Sequence, residues 1–518
     1  MVHKILSFGI SGIDAYSVYV ETDVSRGLPA FDIVGLPDTA IKEAKERVRS
    51  AYKNSGFTFP AKRITINLAP ANVKKVGSIY DLPILLGLLL SSGELKYNTD
   101  GCAFAGELSL MGEVREVNGI LPMVMKAKDA GIHSFFIPKS NVAEVIYIDG
   151  INIFPVANVK ELIDHFTTED KKIEPIIPQK FKAVQPQDFN IDFSEVMGQL
   201  LAKRAVEIAA AGGHNILLIG PPGSGKSMIA KRMTTILPPL SFNESIECTK
   251  IYSVAGKLDK SGIIFQRPFR TPHHTISDVA LCGGGTNPKP GEISLAHCGI
   301  LFLDEFAEFS TKAIDSMRAP LEDGKITISR ANGSVDYPSN FMLVCAMNPC
   351  KCGYLGHPTK QCTCTPSQIY KYSSKISGPM LDRIDLHVEV PSIDYKEISS
   401  EDQQEKSEEI RKRVIKARRI QFAKYKGTGI YKNADLTPEL IKKFCVLTDA
   451  AKQTLEKNFD KFNLTGRGYN RVLKVARTIA DLEESEKINE YHILEALQYR
   501  AYDKIVNFSK ERSKNFFI

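Results

Sequence analysis

The stretch Ile216-Leu217-Leu218-Ile219-Gly220-Pro221-Pro222-Gly223-Ser224-Gly225-Lys226-Ser227 decides the fold of the middle of this chain. Its second half matches the P-loop pattern G-x-x-x-x-G-K-[ST]. The apolar run before it predicts a buried strand, and the residues from Lys226 onward predict a helix. In that context backbone N–H groups wrap phosphate oxygens at a helix N-terminus. We therefore expect a nucleotide-phosphate site formed by Gly220, Pro221, Pro222, Gly223, Ser224, Gly225, Lys226 and Ser227. In this site Lys226 contacts the β- and γ-phosphates and Ser227 holds Mg²⁺.

Two further apolar runs end in polar residues that complete such a site. Ile300 to Leu303 is followed by Asp304 and Glu305, and Phe341 to Met347 is followed by Asn348. Asp304 would orient the Mg²⁺ shell, Glu305 would polarise an attacking water, and the Asn348 amide would hold that water or the γ-phosphate. The alternatives are a strand capped by two solvated acids, and a turn asparagine. The order of strands and helices predicts an α/β fold with a doubly wound parallel sheet, whose ligand lies at the carboxyl ends of the strands.

Length and composition set the domain organisation. A chain of 518 residues exceeds what one core organises, and its 43% hydrophobic and 25% charged residues are those of a globular protein. We expect a mixed α/β domain over 1–165, a linker over 166–190, an ATPase core with a helical insert and a Cys-rich loop over 191–395, and a helical lid over 396–518. The lid helices are expected at 400–426, 437–459, 467–485 and 489–503.

The sequence favours a cytoplasmic protein without a membrane partner. Its apolar N-terminal run is too short for a signal peptide, and no window approaches the roughly 18 uncharged apolar residues of a membrane span. The formal net charge of +7 is mild for this length and argues only weakly for an anionic partner.

Four of the ten cysteines cluster as Cys350-x-Cys352 and Cys362-x-Cys364. Two close thiol pairs on a glycine-containing loop can close a tetrahedral Zn²⁺ site, with His357 as a substitute ligand. Disulfides and cysteines without a metal are the alternatives. The other six cysteines are scattered, and we expect them to be reduced and structural.

Longer motifs give a resemblance to a known family. They are Gly-Leu-Pro-Ala-Phe-Asp-Ile-Val-Gly-Leu-Pro (27–37), Arg-Pro-Phe-Arg-Thr-Pro-His-His-Thr (267–275), Gly-Gly-Gly-Thr-Asn-Pro-Lys-Pro-Gly-Glu-Ile-Ser-Leu-Ala-His (283–297) and Ser-Gly-Pro-Met-Leu-Asp-Arg-Ile-Asp-Leu-His (377–387). With these motifs nearly the whole chain resembles the magnesium-chelatase-like AAA+ ATPases of the YifB/ComM family.

This resemblance implies roles for three more residues. Asn348 is similar to the sensor-one residue, and Arg383 to the arginine finger that reaches the γ-phosphate of a neighbouring subunit. Arg467 is similar to the sensor-two arginine, with Arg471 as its rival. An arginine that acts on a neighbour requires a ring, so the resemblance implies a homohexamer. The alternative for Arg383 is an ion pair with Asp382 or Asp385.

The resemblance also marks elements that would face nucleic acid. Residues 255–295 match an insert that projects toward the central channel of the ring, and residues 322–334 match a hairpin. In that hairpin Lys325 and Arg330 would contact nucleic acid or simply be solvated. Residues 411–426 carry eight cations and no acid. On a helix they would bind phosphates, or the helix would be structural, with acids near its start and bases near its end.

The N-terminal domain resembles the Lon-protease-like (ribosomal-protein-type α+β) fold at residues 75–83 and 112–121. The positions of the serine nucleophile and of the lysine that activates it hold Ile79 and Leu121, although Ser78 is adjacent. A peptidase of this kind needs both groups, so no peptidase activity is expected. By analogy the domain would serve as a DNA-facing or assembly module.

Taken together, the resemblance implies a hexameric, ATP- and Mg²⁺-dependent motor that acts on single-stranded or branched DNA. Its expected role is that of a branch-migration helicase in recombination and natural transformation. One alternative is a magnesium-chelatase motor subunit, which the chain resembles chiefly from residue 190 onward. The other is a protein-remodelling chaperone or peptidase.

Overall fold

The computed structural model describes residues 2–182, 191–330, 333–392, 404–462 and 464–500. Several sequence-based expectations fall outside these ranges. They are the second half of the linker at 183–190, the tip of the hairpin at 331–332, the boundary at 395/396 and the C-terminal part of the last lid helix. For Arg330 only the backbone is described.

The N-terminal domain is built on a mixed sheet. Its strands are β1 (His3–Ser11), β2 (Asp14–Ser25), β3 (Ala30–Val34), β4 (Arg63–Ala69), β5 (Cys102–Phe104), β6 (Glu107–Leu108), β7 (Val114–Arg115), β8 (Ser134–Pro138) and β9 (Asn152–Val156). Among the described residues seven of them pair in the order β3-β4-β2-β1-β5-β8-β9, and β6 and β7 form a separate pair. The β4-β2-β1 pairings are antiparallel and the others are parallel.

Helices cover this sheet with their apolar faces. They are α1 (Thr39–Asn54), α2 (Asp81–Ser92), α3 (Ile120–Asp129), α4 (Val142–Val145) and α5 (Val159–Thr167). Helix α1 begins where the Asp38 carboxylate accepts the Ile41 N–H at 2.9 Å, and its buried residues recur every three or four positions. The most apolar run of the chain forms α2, which is buried over nearly its whole length.

The central domain contains the expected parallel sheet. Its strands are β10 (Ile216–Ile219), β11 (Phe269–Arg270), β12 (Gly283–Gly284), β13 (Lys289–Pro290), β14 (Ile300–Leu303), β15 (Lys325–Arg330), β16 (Gly333–Pro338), β17 (Met342–Met347) and β18 (Leu386–Glu389). Among the described residues five form an all-parallel sheet in the order β11-β14-β17-β10-β18, which confirms the prediction. The pairs β12–β13 and β15–β16 are antiparallel hairpins.

Three longer helices, α6 to α8, and several short ones surround this sheet. They are α6 (Leu200–Gly212), α7 (Lys226–Ile236), α8 (Phe242–Ala255), α9 (Asp278–Cys282), α10 (Glu292–Leu295), α11 (Thr311–Ser316), α12 (Arg318–Asp323), α13 (Pro366–Ser373) and α14 (Gly378–Leu381). The segment 255–295, which we expected to be a helical insert, holds the short helices α9 and α10, the hairpin strands β12 and β13, and the edge strand β11 of the parallel sheet. The remainder of this segment is irregular.

The C-terminal part is helical, as predicted. Its helices are α15 (Ser407–Lys424), α16 (Pro438–Phe444), α17 (Asp449–Phe459), α18 (Gly466–Leu482) and α19 (Glu490–Gln498). The single helix expected over 437–459 is two helices, because the backbone leaves the helical conformation at Cys445 and Thr448 caps a new start by accepting the Ala451 N–H. No helix among the described residues is both long and apolar enough to cross a membrane.

Most cations of the basic segment 411–426 are bonded within the chain. Lys412, Arg413, Lys416 and Lys424 pair with acids, and Arg411 and Arg418 donate to the backbone carbonyls of Thr235 and Ala210. These acids are Glu408 and Glu409 of α15, Glu405 just before it, and Glu207, Asp481 and Glu484 of other segments. Lys412 pairs within its own helix, and the other five of these six cations bond to other elements and hold α15 in place, which favours the structural interpretation. Arg419 and Lys426 remain exposed.

The N-terminal domain packs directly against the central domain. Ile246 of α8 and Ile263 belong to the same buried cluster as Val145 and the residues around it. A Cβ on Gly262 would lie 2.3 Å from the Ala143 carbonyl carbon, so only glycine fits there. The part of the insert near residue 262 is thus fixed against the N-terminal domain.

A buried carboxyl group lies at this domain interface. Glu144 is 4% exposed and accepts the Ser253 hydroxyl at 2.6 Å and the Asn141 amide at 2.8 Å. The Ser253 oxygen in turn accepts the Gly119 N–H at 3.0 Å. Burial raises the pKa of Glu144 to about 7. The hydrogen bonds from Ser253 and Asn141 stabilise the carboxylate and act in the opposite direction.

This raised pKa predicts a pH-dependent contribution to stability. The folded chain keeps a proton on Glu144 that the unfolded chain has already released, so the stability contributed by this site falls as the pH rises toward about 7. We expect Glu144→Gln to raise the thermal unfolding midpoint relative to wild type, and the difference to grow between pH 5 and pH 8. Its upper limit is about 3 kcal/mol. Glu116→Gln, which changes an exposed acid, is the control. A difference for Glu144→Gln that is the same at both pH values would contradict this prediction.

Candidate functional site

The P-loop leaves the carboxyl end of β10, which lies between β17 and the edge strand β18. All four residues of β10 are buried between β17 and β18. A Cβ on Gly220 would lie 2.0 Å from the Val390 carbonyl oxygen, so the loop passes β18 at a distance that only glycine allows. Gly223 and Gly225 have φ of +78° and +88°. These left-handed residues curl the loop into a concave turn over the first residues of α7, the geometry that aims N–H groups at an anion.

Lys226 lies inside this loop and not in solvent. Its ammonium group donates to the carbonyl oxygens of Gly220 and Pro221, each at 2.8 Å, and lies 3.4 Å from Asn348 Oδ1. Burial lowers the pKa of Lys226 to about 8, and the nearby Asp304 carboxylate opposes this shift. A phosphate group there would favour the charged form of the lysine.

The two acids after β14 differ in their surroundings. Asp304 Oδ2 accepts the Ser227 hydroxyl at 2.6 Å, which places two hard oxygen donors of the kind Mg²⁺ prefers next to each other. Glu305 is the exposed one and has a φ of +53°, in the left-handed region that non-glycine residues rarely adopt. Such local strain clusters at functional sites, because the surrounding structure has to impose it.

A cleft of about 540 Å³ opens over these groups. Its lining includes the P-loop from Pro222 to Ser227, together with Met228, Asp304, Glu305, Glu308, Met347, Asn348, Lys351 and Tyr372. The structure therefore brings together the predicted P-loop residues, both acids and the sensor asparagine. A volume of this size lies within the range of small-molecule sites.

Three polar residues of the cleft, besides the apolar Met228 and Met347, were not found from the sequence. Glu308 follows Glu305 by one helical turn, Lys351 lies between two of the clustered cysteines, and Tyr372 comes from α13. Burial raises the pKa of the Tyr372 hydroxyl, so this group remains a hydrogen-bond donor. The closeness of Lys351 to Asn348 in sequence could have predicted that Lys351 lines the cleft. For Tyr372 the sequence held no such signal.

His274 contacts the acid that would polarise water. Its Nδ1 lies 3.2 Å from Glu305 Oε2. The ring of His273 lies beside that of His274, with centroids 4.2 Å apart. The sequence motif contained both histidines, but nothing in it indicated a contact with Glu305.

The structure does not bring the three candidate arginines to this cleft. Arg383 donates to the carbonyls of Arg318 and Pro379 and forms an ion pair with Glu322 at 2.6 Å. The expected alternative partners of Arg383 are engaged elsewhere: Asp382 pairs with Arg471 and Asp385 with His214.

The two sensor-two candidates differ in exposure. Arg471 is 7% exposed and donates to the carbonyls of Leu381 and Ile384, so it holds the segment around Arg383 in place. Arg467 is exposed at the start of α18. Of the two, Arg467 has the side chain that a ligand can reach.

The four clustered cysteines converge. Cys350 Sγ lies 3.4 Å from Cys352 Sγ and 3.7 Å from Cys362 Sγ, and the Sγ atoms of all four cysteines lie within 4.8 Å of one another. Sulfurs at the corners of a zinc tetrahedron are about 3.8 Å apart. His357 lies outside this group, and its Nδ1 accepts the N–H groups of Thr359 and Lys360, so the substitute-ligand role is not supported. All ten cysteines are free thiols.

The four thiols differ in their electrostatics: burial raises the pKa of Cys350, Cys362 and Cys364, whereas the pKa of Cys352 is lowered. Burial opposes ionisation of Cys352, but the N–H groups of Tyr354 and Thr363 and the neighbouring thiols lower its pKa to about 5. Thiolate is the form that binds metals. The cluster also touches the P-loop, because a Cβ on Gly353 would lie 2.6 Å from Pro222.

A second group of metal-ligand types is satisfied by the protein itself. Glu247, His297 and Cys298 converge near α8. His297 accepts the Asn340 N–H at Nδ1 and contacts Glu247 through Nε2, so both ring nitrogens are used. Coordination through either nitrogen would break one of these contacts, which leaves the cysteine cluster as the better candidate.

Comparisons with known proteins cover most of the chain. The family model described as "Magnesium chelatase, subunit ChlI" matches residues 192–398. The model "Subunit ChlI of Mg-chelatase" matches residues 20–141, and "Magnesium chelatase, subunit ChlI C-terminal" matches residues 404–500. The match at 20–141 shows that the resemblance to chelatase-named families also includes residues N-terminal of 190.

Curated relatives match at full length. Competence protein ComM of Haemophilus influenzae is 41% identical over 499 residues, which cover 96% of each chain. The Escherichia coli protein YifB is 42% identical over 501 residues, again 96% of each chain. A shorter match to Lon protease 2 of Bacillus subtilis is 25% identical over 146 residues, 27% of this chain and 26% of that protein.

The fold and these matches agree. The five parallel strands, with a P-loop after the strand next to one edge, fit an AAA+ core, and the helices from 407 onward pack against it in a shared buried cluster. Membership of such a family indicates an ATPase that uses ATP and Mg²⁺. Because relatives more than 40% identical match it along nearly its entire length, the chain belongs to the YifB/ComM family of magnesium-chelatase-like AAA+ proteins.

Proposed function

We propose that this protein is a cytoplasmic, ATP-driven motor that acts on single-stranded or branched DNA as a homohexameric ring. Its role would be branch migration during recombination of DNA taken up in natural transformation. The observation that carries the proposal is the cleft at the P-loop together with full-length similarity to a protein named for competence. The ring, the DNA substrate and the direction of action are parts of this proposal.

In the proposed reaction the P-loop N–H groups and Lys226 hold the β- and γ-phosphates of ATP. Ser227 and Asp304 would hold Mg²⁺, which draws charge from the phosphate oxygens when bound. Glu305 accepts a proton from the attacking water, and Asn348 positions that water or the γ-phosphate. His274, 3.2 Å from Glu305, orients the carboxylate.

The need for a ring follows from the arginines. Charge on the transferred γ-phosphoryl group has to be stabilised by cations, and among the described residues of one subunit the lining of the cleft contains Lys226 and Lys351 but no arginine. Arg383 is held by Glu322 away from its own subunit's cleft, which supports its action on a neighbour's γ-phosphate. Arg467 would act as the sensor-two arginine from the lid.

The contact between the hairpin and DNA has less support than the ATP site. Lys325 forms an ion pair with Asp336 at 2.8 Å, and Thr327 donates to the same carboxylate. An exposed pair of this kind is weak and can be exchanged for a phosphate, but it reduces the positive charge on the hairpin. The DNA assignment therefore rests on the ComM relative and not on this hairpin.

We propose that the N-terminal domain is Lon-like but without peptidase activity. The match to Lon protease 2 and the motifs at 75–83 and 112–121 support the fold. Ile79 and Leu121 are buried apolar side chains, and the adjacent Ser78 hydroxyl donates to Glu107. A serine nucleophile needs a base that accepts its proton and is itself held in place, and none of these groups is a lysine.

We further propose that Cys350, Cys352, Cys362 and Cys364 bind a structural Zn²⁺. The donor set is soft, the sulfur spacing fits a tetrahedron, and Cys350 and Gly353 are the only buried residues of 350–364. Because Gly353 packs on Pro222 and Lys351 lines the cleft, the ion would stabilise one wall of the ATP site.

A magnesium-chelatase motor is the alternative, since the matched family models carry that name. Steady-state ATP hydrolysis with single-stranded DNA, branched DNA, or a porphyrin-binding partner protein separates the two. Stimulation by DNA supports the motor proposed here, and stimulation by the porphyrin-binding partner supports the alternative.

The first prediction of this proposal concerns Glu305. We expect Glu305→Gln to bind ATP but to hydrolyse it at least about 100-fold more slowly, because the water loses its general base. DNA should stimulate the wild type and not the variant, as measured by phosphate release. Glu308→Gln lines the same cleft and serves as a control with a smaller loss. Turnover in the wild type that is indifferent to every DNA would argue for the alternative.

The second prediction concerns action between subunits. Arg383→Ala and Glu305→Gln should each be nearly inactive alone, with a loss of about 1000-fold for the arginine. Mixed together they should recover activity, because some interfaces then pair an intact Glu305 with a neighbour's intact Arg383. Glu322→Gln frees Arg383 without removing it and should retain most activity. A mixture that stays as inactive as its parts contradicts action in trans.

The third prediction concerns zinc. Purified protein should contain about one zinc ion per chain by elemental analysis. Cys352→Ser and Cys362→Ser should lose that zinc and weaken ATP binding, since the loop packs on the P-loop. Cys282→Ser changes a half-buried thiol elsewhere and should keep both properties. Wild-type protein that neither contains nor takes up zinc would disprove the site.

A further inference from the structure

Two large aromatic side chains are stacked on the surface of the C-terminal helical part. Phe422 of α15 is 61% exposed and Tyr431 of the following loop is 64% exposed. Their ring centroids are 6.0 Å apart with an interplanar angle of 17°. Exposed single aromatics are common, but a stacked pair that leaves most of both rings in water forms an apolar surface ready for a third ring.

The loop that carries Tyr431 is held at both ends. Tyr425 is buried and donates its hydroxyl to Asn433, whose amide donates to Thr478 at 2.9 Å and to Asp481 at 2.8 Å. Lys432, next to Tyr431, donates to Asn340 Oδ1 at 2.7 Å. The backbone on each side of Tyr431 is thus fixed, and a ligand that stacks there pays little ordering entropy.

The charge around this pair is positive. Residues 410–434 contain nine Lys and Arg and no Asp or Glu. Arg419 and Lys426 lie three and four residues from Phe422 on α15 and just past its end, on the same exposed side, and neither forms an ion pair with a described residue. The other cations of α15 are used within the fold, as shown above.

We propose that the aromatic patch formed by Arg419, Phe422, Lys426 and Tyr431 binds single-stranded nucleic acid by stacking unpaired bases on the two rings. Aromatic platforms flanked by cations bind single strands in this way, because every base has a π-face and every nucleotide carries a phosphate. Paired bases offer no free face to the rings, so the patch favours single strands over duplex. This inference rests on the proposed action on DNA and assigns a contact surface to it.

The patch lies away from the ATP cleft. Lys432 donates to Asn340, which precedes β17. A Cβ built on Gly213, which precedes β10, would lie 3.3 Å from the Arg418 guanidinium. These are the amino ends of strands whose carboxyl ends carry the P-loop and Asn348. Changes at the patch should therefore leave ATP hydrolysis without DNA unchanged.

The test compares matched variants of the full-length protein. Phe422→Ala with Tyr431→Ala removes the rings, and Arg419→Ala with Lys426→Ala removes the cations. Tyr491→Ala, at another exposed tyrosine, controls for the first pair, and Lys412→Ala with Lys452→Ala, at two ion-paired lysines, controls for the second.

Binding of a labelled single-stranded oligonucleotide and of its duplex is measured by fluorescence anisotropy. A 2-aminopurine base in the single strand reports stacking by its loss of fluorescence. Sedimentation velocity measures assembly.

We expect the ring-less variant to bind the single strand at least about tenfold more weakly, to lose the 2-aminopurine quenching and to change duplex binding little. The cation-less variant should weaken binding and lower its salt dependence. The controls should match the wild type.

Other outcomes would overturn the inference. Unchanged single-strand affinity in the ring-less variant would do so while leaving the motor proposal intact. Normal DNA binding with lost assembly would assign the patch to a subunit contact instead. A wild type that binds no DNA at all would overturn the motor proposal along with the inference.

Discussion

Parallel pairing of β10 with β17, and of β17 with β14, is the constraint on which the rest of the site depends. The register aligns Ile219 with Met347 and Leu303 with Cys345, so the three strands end at the same edge of the sheet. Ser227, Asp304 and Asn348 come from segments far apart in sequence, and they meet only because all three strands run in the same direction. A shift of one residue in either pairing would turn buried side chains of these strands toward the opposite layer and displace the acids.

Much of this arrangement could be predicted because it is encoded locally. Three short apolar runs with polar residues at their ends gave the sheet, the P-loop and both acids. The contact of His274 with Glu305, the position of Tyr372 and the partner of Arg383 could not be predicted, since each joins segments that only the tertiary fold brings together. The break at Cys445 was missed because the apolar pattern continues through it, and the cap at Thr448 resembles many threonines that begin no helix.

The cysteine loop shows how a peripheral element can act on the reaction centre. It begins two residues after Asn348, carries Lys351 into the cleft and packs Gly353 on Pro222. The loop contains little that can be buried, so sulfur–metal bonds would supply the order that a hydrophobic core supplies elsewhere. The zinc ion proposed for this loop would support the shape of the nucleotide site and would take no part in the chemistry.

Whether a Lys or Arg of this chain can bind a phosphate is known only once its ion-pair partners within the fold are known. The segment 411–426 has the sequence of a phosphate-binding helix, yet Glu207, Asp481 and Glu484 come from other elements and neutralise part of it. A buried carboxylate such as Asp481 needs those cations, because an unpaired charge in the interior is costly. What the fold leaves over are Arg419 and Lys426, beside two aromatic rings that bury little of their own surface. The proposed binding of single strands therefore depends on the cations that the described part of the fold leaves unpaired, and these lie beside two exposed aromatic rings on which unpaired bases would stack.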